Sequence, residues 1–142
     1  HRNLLDAVVI DATGIGYNFA KHFADLGYPV VEFNAGSKPR NEERYRNAKA
    51  EAYWGFRERL QRGEVSGLTD ERTQAQLAGI RYWHTASGKV EVEPKEKARE
   101  RGVKSPDRAE GLILAYYPTR STKPQTVQQG DTRQKWWAGV KS

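Results

Sequence analysis

Apolar positions along this chain follow two rhythms. Residues 7–11, Ala-Val-Val-Ile-Asp, form a short continuous apolar run closed by an acid. That is how a strand buried in a parallel sheet reads. Phe19, Ala20, Phe23 and Leu26 then recur at helical spacing up to Gly27, a natural residue just past a helix end. A second apolar run over 29–34 completes a strand–helix–strand unit, predicted as a right-handed parallel crossover. Between 41 and 62 a longer stripe of Tyr45, Ala48, Ala52, Phe56 and Leu60 predicts an amphipathic helix ended by Gly63. Tyr53 and Trp54 on that segment read as core or interface rather than as a platform for stacking bases.

The second half alternates shorter elements. Thr69 is the expected N-cap of a helix that turns Leu77 and Ile80 inward. Residues 80–85 and 89–93 flank the turn Ala86-Ser87-Gly88 and predict a β-hairpin with Val90 and Val92 on one face. Residues 94–102 are highly charged and predict a short helix or solvated loop. Ser105 then reads as an N-cap and Pro106 as the first residue of a mostly apolar helix that Pro118 stops. Beyond it Thr, Ser, Pro and Gln dominate. The expected organisation is therefore a folded domain over residues 1–117 and a basic, disordered tail over 118–142. Trp136-Trp137 near the end of that tail is a candidate docking segment.

Three acids stand at element ends. Asp11 closes the first strand, where open α/β sheets place their ligands. Asp107 and Glu110 share one face of the first turn of the last helix, a place to hold a metal. Asp107 equally suits a helix N-terminus as a complement to the dipole, and both readings stand. Gly14 and Gly16 follow Asp11, with no third glycine at dinucleotide spacing and no Gly-Lys-Ser/Thr ending. They are read as keeping a tight turn. The loop 35–40 carries Lys38 and Arg40, either for phosphate contact or as a solvated connection. His84 reads as a surface histidine, and His1 and His22 are scattered, so a zinc site is not expected.

Composition narrows the chemistry. The 142 residues suit one domain. A formal charge of +6 favours an anionic partner, nucleic acid first. The absence of Cys excludes disulfides, thiolate zinc sites and a thiol nucleophile. No apolar run is long enough to span a membrane and the first residues carry no signal-peptide core, so a soluble, intracellular protein is the expectation. The first residue is His, and the chain reads as a fragment of something longer. Hard oxygen ligands in a basic surround suit Mg²⁺ or Mn²⁺ acting on a phosphodiester. Two such ions about 3.5–4 Å apart need more acids than Asp11, Asp107 and Glu110 supply.

Four stretches carry a resemblance: VVIDATGIG (8–16), NAKAEAYWGFRERLQRG (47–63), QLAGIRY (76–82) with its hairpin, and EPKEKARERGVKSPDRAEGLILA (93–115). Together they resemble the C-terminal nuclease domain of the large terminase subunit of tailed bacteriophages. The resemblance implies an α/β, ribonuclease H-like fold, a mixed sheet flanked by helices, with the N-terminal strands missing from this chain. It implies a metal-dependent endonuclease that cuts concatemeric double-stranded DNA during genome packaging. By motif Asp11 takes the second and Asp107 the third position of that family's acidic triad; the first-strand Asp has no counterpart here. Asp11 and Asp107 are then the catalytic metal ligands, and Glu110 an outer ligand to one of two Mg²⁺ or Mn²⁺ ions. Lys38, Arg40, Lys95, Arg101 and Lys104 are candidates for DNA contact. The portal protein and the small terminase subunit are implied partners, and the host cytoplasm the implied location. A resolvase- or transposase-type nuclease of the same fold, and a non-catalytic basic DNA-binding module, are the competing readings.

Overall fold

The helix expected from residue 41 starts seven residues later, because the chain first lends its backbone to a strand. In this computed structural model, which describes residues 4–118 and 125–126, Arg46 N–H donates to Val90 O and Val90 N–H to Arg44 O. Tyr45 thereby forms a parallel bridge with Val90. Asn41 turns the chain into this bridge by accepting from Arg44 N–H.

The elements in order are β1 (Leu4–Leu5), β2 (Val8–Asp11), α1 (Gly16–Asp25), β3 (Val30–Phe33), α2 (Ala48–Gln61), α3 (Glu71–Ala78), β4 (Tyr82–His84), β5 (Val90–Val92), α4 (Lys95–Glu100), α5 (Asp107–Ala115) and β6 (Gln125–Thr126). They fall into two units, one of residues 1–33 with 118–142 and one of residues 34–117.

In the first unit β2 and β3 pair in parallel, Val8 opposite Val30 and Asp11 opposite Phe33. This is the strand–helix–strand unit expected, with α1 packed on both strands. Ala20 is buried and Phe23 and Leu26 are half-buried, but Phe19 is exposed. The expected tail falls largely on residues 119–124 and 127–142, which lie outside the described residues, as do Trp136 and Trp137. Gln125 and Thr126 pair antiparallel with Leu5 and Leu4.

The second unit is built on α2. Its Asn47 cap accepts from Ala50 N–H, and Tyr53 and Phe56 bury on one side with Ala48 and Ala52. The helix packs on β5 and on α5, and α3 packs on α5. Val90 and Val92 of the β4–β5 hairpin are buried, as are Ala109, Ile113 and Leu114 of α5. These residues form the core. Across the hairpin Trp83 Nε1–H donates to Glu91 Oε2 at 2.9 Å, between residues directly opposite in register.

Helix starts differ from expectation by a residue or more. Asp70, not Thr69, caps α3, accepting from Thr73 N–H at 2.9 Å. Pro106 occupies the cap position of α5, so Asp107 is its first residue, and Ser105 makes no capping bond. Proline offers no side-chain oxygen to the free amides of the first turn. Gln76 of α3 supplies one instead: its Oε1 accepts from Ala109 N–H at 3.0 Å. The helix ends at Ala115, before Tyr116.

Candidate active site

Asp11 stands at the C-terminal end of β2, half-buried. Its Oδ1 accepts from Thr13 N–H at 3.0 Å and from the Thr13 hydroxyl. The carboxylate therefore fastens the turn that follows it. Gly14 turns with φ +63, a conformation that favours glycine, and Gly16 passes against the Asp11 main chain too closely for any side chain. The glycines serve the turn, as expected.

Asp107 opens α5 in the second unit. It is exposed and forms no side-chain hydrogen bond or ion pair among the described residues. Glu110, one turn on, is differently placed. Its Oε2 receives the Lys95 ammonium at 2.9 Å and its Oε1 the Tyr53 hydroxyl at 3.3 Å. With only 12% of its side chain exposed, this carboxylate is a partly buried charge held by two donors from two other elements. Each separate acid thus has its own environment: Asp11 is bonded into a turn, Glu110 is ion-paired, and Asp107 is open.

Lys49 borders the same region. Its ammonium donates to Glu93 O at 2.8 Å and lies 5.3 Å from the centre of the Tyr53 ring. Burial holds its pKa below the ordinary lysine value, against the pull of the Glu110 charge. The apolar stripe read from the sequence leaves Lys49 out. Its spacing held the signal: residues 45, 49 and 53 are four apart, so Lys49 lies on the face that buries Tyr45 and Tyr53.

The expected DNA-contact residues are spread over the second unit. Lys38 is 85% exposed and 3.8 Å from Glu42. Arg40 lies over the Tyr117 ring at 5.4 Å. Arg101 clasps Glu93 through two nitrogens, Nε at 2.9 Å and Nη2 at 2.6 Å. This clasp holds the Glu93 carboxyl below the usual range. Lys95, Arg101 and Lys104 line one cleft of about 260 Å³, with Arg81 and Arg99, which sequence reading passed over.

Asp11 and Asp107 fit a hard divalent cation in donor type. Glu110 fits in donor type too, each oxygen keeping a lone pair beside its bond from Lys95 or Tyr53. Among the described residues no three His, Asp or Glu side chains are grouped to hold a metal ion.

No protein-family model matches the chain, and no curated protein does. Solved structures do. The nuclease domain of the large terminase subunit gp2 of bacterial virus Sf6 matches with a TM-score of 0.68 at 19% identity, over 81% of this chain and 66% of that one. A mutant of that domain with manganese matches with a TM-score of 0.68 at 17% identity, over 80% and 66%. A mutant with calcium matches with a TM-score of 0.67 at 19% identity. The chain thus spans 66% of the length of these domains. The likeness shows the fold, which is that of the ribonuclease H-like terminase nuclease domains.

Proposed function

We propose that this chain is a nuclease domain of a viral genome-packaging terminase, cutting concatemeric double-stranded DNA. The observation that carries the reading is the shared fold with the Sf6 domain. The exposed carboxylate of Asp107 at the start of α5, with no side-chain hydrogen bond or ion pair among the described residues, supports it. A fold hosts many functions, so the acids have to carry the chemistry.

Asp11 and Asp107 are the proposed ligands of Mg²⁺ or Mn²⁺, two ions in the full site. When bound, such ions activate a water and stabilise the leaving oxygen of a phosphodiester. The chain's own residues position and neutralise. The Thr13 bonds fix the Asp11 carboxylate beside its turn. Gln76 secures the first turn of α5 and with it the origin of Asp107. Glu110 acts from behind, through Lys95 and Tyr53, as an outer group. Lys38, Arg40, Lys95, Arg101 and Lys104 offer contacts to the DNA backbone. Such contacts are independent of sequence and weaken with salt.

The portal protein and the small terminase subunit are proposed partners in a packaging complex, acting in the host cytoplasm. Among the described residues no helix is long and apolar enough to cross a membrane.

The experiment is cleavage of supercoiled plasmid in Mn²⁺, comparing the protein with Asp107→Asn. Cleavage by the parent and its loss in the variant support the reading. Equal cleavage by both removes Asp107 from the site.

A further inference from the structure

The cleft in the second unit carries an inference of its own. At about 260 Å³ it lies just under the ~300 Å³ at which sites for small organic ligands begin. Its lining divides by exposure. Ile80, Val92 and Val103 are buried or half-buried, while Arg81, Arg99 and Lys104 are exposed. The cleft therefore has an apolar wall and a cationic mouth.

Those three cations differ from six others on this unit. Arg44, Arg59, Arg62, Lys95, Arg101 and Arg108 each stand within ion-pair distance of a carboxylate. Arg81, Arg99 and Lys104 form no ion pair and no side-chain hydrogen bond among the described residues. The acid in the lining is Glu93, and Arg101 already clasps it. The lining thus sets Lys49, Arg81, Lys95, Arg99, Arg101 and Lys104 against the one carboxylate of Glu93, whose charge Arg81 and Lys49 also feel, beside a wall that favours an apolar body.

A ligand matching both features has a flat apolar part and a compact, multiply charged head. A carboxylate brings one charge. A phosphomonoester brings about −1.5 to −2 at neutral pH, with three acceptor oxygens. Guanidinium groups bond phosphate through two parallel N–H donors. We propose that this cleft binds a nucleotide by its terminal phosphomonoester, the base against Ile80, Val92 and Val103 and the phosphate among Arg81, Arg99 and Lys104. Such a nucleotide comes from either of two sources, a free mononucleotide or the phosphorylated end of a strand. The inference does not depend on the nuclease reading, because it concerns binding without cleavage.

Titration calorimetry without divalent metal tests it. The probes are deoxyadenosine 5′-monophosphate, deoxyadenosine, inorganic phosphate, and a short oligonucleotide with and without a 5′-phosphate. The monophosphate should bind; the nucleoside, which lacks the charged hydrogen-bonding group, and inorganic phosphate, which lacks the base that buries against the apolar wall, should each bind at least about tenfold more weakly. The double variant Arg81→Ala/Arg99→Ala should weaken monophosphate binding by a similar factor. Ala98→Phe, which places a ring in the cleft lining, should abolish it, with circular dichroism confirming the fold. If Ala98→Phe does not fold, the double variant at exposed positions still decides. Tighter binding of the phosphorylated oligonucleotide than of the monophosphate identifies the strand end as the ligand, and the reverse order the free nucleotide. The proposal is overturned if neither binds at millimolar concentration, if the double variant binds as the parent does, or if inorganic phosphate binds as tightly as the monophosphate.

Discussion

A Cβ atom on Gly16 would lie 1.7 Å from the carbonyl oxygen of Asp11. No side-chain carbon tolerates that approach, so residue 16 can carry hydrogen alone unless the backbone moves. The turn after β2 is closed from both sides, by Gly16 against the Asp11 main chain and by Thr13 against the Asp11 side chain. Gly16→Ala should therefore shift Asp11 and destabilise the protein by about 1–3 kcal/mol, the range for forcing extra atoms into a packed site. Urea denaturation checks the stability. Gly14→Ala meets open space and should cost only the left-handed backbone, about 1–2 kcal/mol.

Gln76 and Ala109 form the second testable link. Gln76→Leu removes the acceptor of a first-turn amide at the helix that starts with Asp107. The expected loss is about 1 kcal/mol, the scale of a missing cap. Hydrogen exchange at Ala109 should quicken by more than exchange at the buried Ile113. Equal change at both positions would mean that the bond supports the whole helix rather than its first turn.

Lys95 and Glu110 separate positioning from catalysis. Lys95→Met leaves a carboxylate with 12% of its side chain exposed without its cationic partner, and should destabilise by about 1–3 kcal/mol. Adding Glu110→Gln should recover part of that loss, because the unpaired charge is gone. Thermal unfolding of the two single variants and the double variant measures the coupling. Glu110→Gln alone should retain more cleavage than Asp107→Asn.

Acid should act through Asp70. The Thr73 hydroxyl, then the Thr73 amide and the Arg108 guanidinium, hold its carboxyl below the usual range. The folded state then binds this proton less readily than the unfolded chain, whose Asp titrates near ~3.9. The stabilisation is present above that value and is lost as pH falls through the lower folded one. Asp70→Asn keeps a capping oxygen and removes the charge. Its melting temperature should fall less steeply than the parent's between about pH 5 and pH 2.

Local pattern carried much of this fold. The apolar run ending at Asp11, the helix after it and the hairpin placing Val90 and Val92 inward all followed from spacing, since each answers to its own neighbours. What spacing hid were contacts made at a distance. Tyr45 continues the apolar stripe of α2, yet its backbone bridges Val90, and no periodicity distinguishes a buried helical tyrosine from a buried bridging one. Ser105 and Pro106 looked sufficient to start α5, whereas the acceptor for Ala109 comes from Gln76, 33 residues earlier. The candidate acids were legible as residue types at element ends. Their states were not: that Glu110 is held while Asp107 is open depends on Tyr53 of α2 and Lys95 of α4 reaching Glu110 from elsewhere in the chain.

The central claim is tested most directly by plasmid cleavage in Mn²⁺, with the protein, Asp11→Asn, Asp107→Asn and Asp70→Asn run together and each checked by circular dichroism. Cleavage by the parent and by Asp70→Asn, lost in folded Asp11→Asn and Asp107→Asn, is the predicted result. Cleavage that survives in either site variant, or none from the folded parent, would contradict it.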